Sequence, residues 1–378
     1  MKRQIVRQRD NWQTHMDEIG FTFHSADGTY WNEGVCYEFT AKEIDEIERV
    51  TLLLHEMCIE AVRVVADKNL FRRLHIPEAY EDYIKTALKH EQISIYGRFD
   101  FSFDKDGNPC LLEYNADTPT SLFESSVVQW MWLEEMFPEY DQFNSIHEKL
   151  LDAFKAVARA MAANAPMYFS CVKDYEEDLV TVQYLQDVAI QTGIDGRHIF
   201  IEDIGYSSDN GMFYDQHSEV IEHMFKLYPW EWLLADKFGP HLLKGTIRLY
   251  EPPWKMILSN KAMLALLWEM YPNHPNLIPT YHGARSLRGN YVKKPIFSRE
   301  GANVSVFRGN SIIETTDGTY GSEGFVYQEI RALPEFSGNH AVVGSWVING
   351  QPAGIGIRED DSAITKNTSR FVPHYFKP

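Results

Sequence analysis

Side chains suited to phosphoryl chemistry recur in short, widely separated segments of this 378-residue chain. Arg98-Phe99-Asp100 and Glu113-Tyr114-Asn115 offer two carboxylates and an amide, while Lys261 and Lys294 offer fixed cations. Hard oxygen donors of this type hold Mg²⁺ beside nucleotide phosphates and water, and Lys or Arg neutralises a polyphosphate. Lys294 ends an apolar strand pattern and leads into Pro295-Ile296-Phe297-Ser298-Arg299-Glu300-Gly301. Gly301 lets the backbone approach a ligand, and successive N–H groups there could form an anion-binding concavity. Gln328-Glu329-Ile330 closes a strand whose backbone could pair with an adenine edge or simply end a sheet. Gly354-Ile355-Gly356-Ile357-Arg358 ends a glycine-rich strand on an arginine, which needs a structural carboxylate or a phosphoryl group as counter-charge. No G-x-x-x-x-G-K-[ST] occurs, so this is not a P-loop.

The elements that must carry these residues are partly readable. Residues 95–103 alternate at period two, 104–109 form a turn, and 110–115 return as a second strand. Arg98 and Asp100 share one face of the first strand, Glu113 and Asn115 one face of the second. A hairpin could bring all four together; the register is left open. Upstream, Thr40 is expected to cap a helix with an apolar stripe of Ile44, Ile47, Val50, Leu53, Leu54 and Met57. Pro77 restarts a helix through Tyr80 and Ile84. Residues 167–172, 177–190 and 198–201 read as strand, helix and strand, a βαβ-like unit with a local parallel sheet. It lacks G-x-G-x-x-G, which argues against a dinucleotide site. Ser259 or Asn260 should cap a helix over 261–270. The last hundred residues read as strands over 291–294, 324–330, 341–348 and 353–358.

Composition limits the alternatives. A formal charge of -18 with no Lys/Arg run disfavours nucleic acid and anionic membranes, so any anionic ligand needs local cations. No segment approaches the roughly 18 apolar residues of a membrane helix, and Met1-Lys2-Arg3 lacks a following h-region. Cys36, Cys58, Cys110 and Cys171 are scattered, with no C-x-x-C pair, and read as reduced thiols in the cytoplasm. His55-Glu56-Met57-Cys58 lacks the second His of a zinc-protease helix.

Taken with Glu113 to Thr120, Ser259-Asn260-Lys261, Lys294 to Asn303 and Gly356 to Asp360, the chain resembles the synthetase domain of glutathionylspermidine synthase. It is most similar to the stand-alone bacterial homologues described as acid–amine ligases. The resemblance implies a mixed α+β or α/β architecture: an ATP-grasp fold with an inserted pre-ATP-grasp βαβ lobe. The expected division is 1–160 for the helical N-terminal part with the metal-binding hairpin, 161–250 for the inserted lobe, and 251–378 for the nucleotide-binding part. The family's bifunctional members carry an N-terminal Cys/His amidase domain, for which this chain leaves no room.

The implied activity is ATP- and Mg²⁺-dependent joining of a carboxylic acid to an amine through an acyl phosphate. By position, Asp100, Glu113 and Asn115 would ligate Mg²⁺. Arg98, Phe99, Asp100, Lys261, Lys294, Gly301, Gln328, Glu329, Ile330 and Arg358 would contact ATP, with Arg98 and Arg358 stabilising the transferring phosphoryl group. Arg299, Thr118 and Thr120 would meet the acid substrate, and Glu177 and Asp178 the amine. The segment 366–370 replaces an acidic polyamine contact, and a cation there would repel spermidine, so a different substrate pair is implied. The partners are small molecules, with no obligatory protein. The alternative is a nucleotide-binding protein with vestigial ligase turnover, acting as a partner or sensor.

Overall fold

The computed structural model describes residues 1–377 other than Asp27, Arg288, Asn310 and Asn367. Its architecture is mixed α/β. A six-stranded antiparallel sheet runs in the order Arg370–Val372, Gln351–Asp360, Asn339–Ile348, Tyr96–Phe103, Pro109–Asn115, and Glu335–Phe336 pairs beside Asn339–Ile348. The early hairpin is thus completed by strands from the far end of the chain.

Within that hairpin Arg98 lies opposite Asn115 and Asp100 opposite Glu113, which answers the register question and puts all four side chains on one face. The register then shifts between Asp100 and Phe101, so the alignment of polar groups stops there. The opposite face is core. Phe99 is fully buried and stacks on Tyr114, its cross-strand neighbour, with centroids 3.9 Å apart. Such an aromatic pair is worth about 0.5–1.5 kcal/mol beyond its buried area. Gly344 faces Asp100 across the next strand, and a Cβ there would sit 2.7 Å from Arg98 Cδ. Glycine at 344 makes room for the arginine.

Behind this sheet lies the helix Ala41–Lys68. Thr40 and Glu43 form a reciprocal capping box at its start. Its buried stripe runs through Ile44, Ile47, Thr51, Leu54, Cys58, Val62 and Val65. Leu53, expected in the stripe, is only half-buried, and Thr51 takes the inner position by sharing a hydrogen bond (2.7 Å) with Ser345 of the sheet. Asn69, in left-handed conformation, ends the helix. After Pro77, a 3₁₀ turn Glu78–Tyr80 leads into the helix Glu81–Lys89.

The βαβ expectation is met by a parallel four-stranded sheet, ordered Arg248–Tyr250, His223–Leu227, Pro166–Cys171, Asp195–Phe200. Helix Glu176–Gln191 connects its third and fourth members. The fourth strand begins earlier than its apolar run, at half-exposed polar residues, and Ile201 already belongs to a 3₁₀ turn. A five-stranded antiparallel sheet, Thr280–Tyr281, Phe325–Glu329, Tyr291–Pro295, Ser305–Arg308, Ser311–Thr315, completes the site-bearing framework. Helix Ala262–Met270 approaches it; its N-cap is Lys261, without a side-chain cap, rather than Ser259 or Asn260, and Asn260 Oδ1, one residue earlier, only accepts from the Ala262 amide at 2.9 Å. All four cysteines are free and buried. Among the described residues no helix is long and apolar enough to cross a membrane.

Candidate functional site

Two adjoining clefts, of about 750 and about 1300 Å³, meet at Asp100, Glu113, Gly301 and Thr365. The smaller lies between the five-stranded sheet and the hairpin. Its apolar walls include Leu112, Val292, Val306 and Val342; its polar end carries Glu113, Lys261, Lys294 and Gln328. The larger runs toward the parallel sheet and contains Thr118, Thr120, Glu177, Asp178, Arg299, Arg358 and Lys366.

Charge is tightly matched where the clefts meet. Arg98 chelates Asp100 (Nε–Oδ1 2.7 Å, Nη2–Oδ2 3.1 Å) and donates to the Thr120 carbonyl at 2.6 Å. Asn115 Nδ2 donates to Asp100 Oδ2 at 3.0 Å and Glu113 Oε1 at 3.3 Å. Lys261 lies 3.1 Å from Glu113 and donates to the Ser298 carbonyl. Burial alone would raise the Glu113 carboxyl, but Lys261 and Lys294 overcome it and hold the group at about 2. Lys294 itself is brought down to about 8 by burial, against the pull of Glu113. It donates to Gln328 Oε1 (2.7 Å) and to the Leu112 carbonyl (3.1 Å). Gln328 therefore aims the lysine. Two carboxylates and an amide on one face suit a hard cation with oxygen preference; rotating Asn115 would turn its oxygen inward. Among the described residues no group of three or more His, Cys, Asp or Glu is arranged for a metal, so such an ion would need oxygens from a ligand or water.

The other expected site residues divide between cleft, sheet and core. Glu329 lines the smaller cleft, and its amide donates to the Pro279 carbonyl at 2.8 Å. Ile330 packs with Val292, Val304, Val306 and Ile364 beside that cleft. Phe99 lies in the core and lines neither. Gly301 adopts φ +68°, and a Cβ there would meet the Thr365 carbonyl oxygen at 2.5 Å, so only glycine fits this contact. Arg358 Nη2 donates to the carbonyls of Lys366 (2.8 Å) and Ser369 (3.3 Å). Within the segment 366–370, Asn367 lies outside the described residues.

Several partners escaped sequence reasoning. Arg299 donates to Thr118 Oγ1 at 2.5 Å and to Glu231 Oε1 at 2.9 Å, so an internal carboxylate already neutralises it. Asp117 and Lys226 form a fully buried ion pair at 2.6 Å, and the Trp230 amide donates to Asp117 at 2.9 Å. Lys255, equally buried, pairs with Glu251 and donates to the carbonyls of Tyr96 and Ala116 at 2.9 Å. These two lysines bolt down Ala116-Asp117, between the hairpin's polar face and Thr118. The one available signal was a lysine inside each of two apolar runs, Met224 to Leu227 and Trp254 to Leu258.

Comparison with known proteins adds lineage to geometry. Residues 3–377 match the family model described as glutathionylspermidine synthase preATP-grasp. A Haemophilus influenzae protein named "Putative acid--amine ligase" is 42% identical over 376 residues, covering 95% of each chain. Trypanothione synthetase of Crithidia fasciculata is 28% identical over 84% of this chain and 53% of its own length. The bifunctional glutathionylspermidine synthetase/amidase of Escherichia coli is 24% identical over 96% of this chain and 63% of its own. The chain therefore spans about half to two thirds of these two longer relatives. In fold, it resembles a glutathione synthetase-like effector of Globodera pallida, solved in apo form, with TM-score 0.58 at 10% identity over 99% of this chain and 100% of the other.

Proposed function

The chain belongs to the glutathionylspermidine synthase preATP-grasp family, and from that membership and the site geometry we infer an ATP- and Mg²⁺-dependent enzyme that joins a carboxylic acid to an amine. The observation that carries the reading is the junction of the two clefts. There an apolar slot with a buried lysine opens, through two carboxylates and an amide, onto a larger cavity bearing both acids and bases. The slot suits a nucleotide base and sugar, with Lys261 and Lys294 directed at phosphates and Gln328 to Ile330 along the base edge. Asp100, Glu113 and Asn115 fit Mg²⁺ by donor chemistry. When bound, the ion would offset charge as two anions, phosphate and carboxylate, are brought together.

The remaining work falls to the chain. Arg98 and Arg358 flank the junction and would stabilise the transferring phosphoryl group, with losses on the order of 10³ to 10⁵ in rate on removal if they act on the transition state. Gly301 and its neighbours would close over the site and exclude water from an acyl phosphate. Thr118, Thr120 and Arg299 would receive the acid, and Glu177 and Asp178 the ammonium group of the amine. The parallel sheet of residues 166–250 is read as the pre-ATP-grasp lobe, and the two antiparallel sheets as the ATP-grasp part. Lys366 in the larger cleft disfavours a polycation there, so the substrate pair is read as different from glutathione and spermidine.

The test is purified protein with MgATP and a small-molecule cell extract, followed by untargeted mass analysis. A new amide-containing mass should grow in step with ADP. Arg358→Ala should abolish that product and leave ATP affinity in place. ADP release that no mixture of acids and amines stimulates would remove coupled ligation and leave a nucleotide-binding protein.

A further inference from the structure

Behind Glu177, on the wall of the larger cleft, lie two side chains to which the proposed reaction assigns no role, Tyr30 and Glu124. Tyr30, 5% exposed, donates its phenol to Glu124 Oε1, and the same hydroxyl lies 3.5 Å from Glu177 Oε1 and 3.4 Å from Ser121 Oγ. Glu124 is 1% exposed and opens a single π-helical turn, Glu124–Val128, a local irregularity often found at functional sites. Glu177 differs in lining the cavity. Arg358 is the nearby cation whose charge is felt at both Tyr30 and Glu124.

Two carboxylates bridged by one phenol in a low-dielectric site cannot both ionise cheaply. A single extra proton relieves them. With the proton on Glu124, that carboxyl donates to Tyr30, and Tyr30 turns its own hydroxyl to Glu177. With the proton gone, Tyr30 donates to Glu124. The bridge therefore conducts a proton between the cavity wall and the interior by reorienting one O–H bond.

We propose that Glu177, Tyr30 and Glu124 form a relay that takes a proton from the ammonium form of the amine substrate and stores it on the buried Glu124, a positioning residue acting through its two partners. The proposal rests on the ligase reading. In the balanced step, R–NH₃⁺ gives one proton to the carboxylate pair and becomes R–NH₂. Its lone pair forms the C–N bond as the acyl C–O bond breaks, and those electrons leave with phosphate. The second nitrogen proton departs to phosphate or solvent. The surroundings are matched to this task. Burial first, and Glu177 second, raise the Glu124 carboxyl to about 7, where it can be loaded and emptied near neutrality. Burial and both carboxylates push the Tyr30 phenol well up, so it transmits a proton without ionising. Of the cations on neighbouring strands, Arg358 opposes the rise at Glu124, and Arg98 feels the Tyr30 phenol while remaining bound to Asp100.

The test compares two probe amines, methylamine, which is protonated at neutral pH, and hydroxylamine, which is largely neutral there. Each is supplied with MgATP and a low-molecular-weight cell extract as the source of acids. In Glu124→Gln the ratio of methylamine- to hydroxylamine-dependent ADP release should fall by about 10²- to 10⁴-fold at neutral pH and recover as pH rises. Tyr30→Phe, which leaves both carboxylates, should give the same fall. An unchanged ratio in both variants overturns the relay, since a purely structural defect lowers both amines alike. Wild-type protein stimulated by neither amine would instead count against the ligase reading. Infrared titration then still decides the shared proton: a protonated-carboxyl band lost in Glu124→Gln supports it, and its absence from wild type overturns it.

Discussion

Glu113 is pulled by two lysines, yet Lys261 also holds the Ser298 carbonyl and Lys294 also holds Gln328. A metal beside Glu113 would take over part of that neutralisation and leave Lys261 free to turn to a phosphate. Glu113→Gln should therefore raise the Mg²⁺ concentration needed for half-maximal binding of a non-hydrolysable ATP analogue by about 10- to 100-fold, measured by calorimetry. The common face of Asp100, Glu113 and Asn115 was legible because strand alternation fixes which neighbours lie on one side, although the pairing register stayed open. Glu231 was not. It meets Arg299 across 68 residues of sequence, and no local periodicity reports such a contact.

At the level of elements, the segment leaving the hairpin is fixed by ion pairs with no access to water. Buried pairs of this kind add little net stability, but breaking one strands a charge. Lys226→Met should cost about 3–5 kcal/mol in urea unfolding, and adding Asp117→Asn should return much of it. If the double variant folds well but binds the Mg²⁺–nucleotide analogue more weakly, the pair serves to place Thr118 and the polar face. The helix Ala41–Lys68 was legible by its apolar period and capping residue, although the pattern was followed only to Met57. The stop at Asn69 depends on a left-handed backbone that composition alone does not announce. Of the parallel sheet, the strand Pro166–Cys171, the helix after it and the apolar end of Asp195–Phe200 were legible; His223–Leu227 and Arg248–Tyr250 were not, nor was the polar edge where Asp195 and Arg197 pair with each other instead of alternating with apolar residues.

Across the whole molecule, three carboxyl groups set opposing pH dependences. Burial and neighbouring carboxylates raise Glu124 from 4.5 and Asp178 from 3.8, each to about 7. A carboxyl raised by folding favours the native state below its unfolded value, and that contribution is lost as pH climbs to about 7. Glu113, lowered to about 2, contributes fully above 4.5 and loses its effect as pH falls toward 2. The buried histidines His55 and His374, both lowered by desolvation, act in the opposite sense over this range, so the expected effect is a difference: the stability gap between wild type and Glu124→Gln should shrink from about pH 4.5 toward about pH 7, by at most about 1.4 kcal/mol per pH unit. Scanning calorimetry across that range checks both the direction and the variant.

The six-stranded sheet also constrains how the chain can be made. Tyr96–Phe103 has its partner Asn339–Ile348 more than two hundred residues later, and Val35–Thr40 waits for His374–Lys377. A ribosome that has delivered the first 330 residues has released the hairpin, yet has not released the strand that covers its open edge. Until Asn339–Ile348 has emerged, that edge can pair with any other extended chain. Chaperone demand and aggregation during expression should thus follow the interval between translation of residues 103 and 339, so that slowing the ribosome there harms yield while slowing it before residue 96 does not.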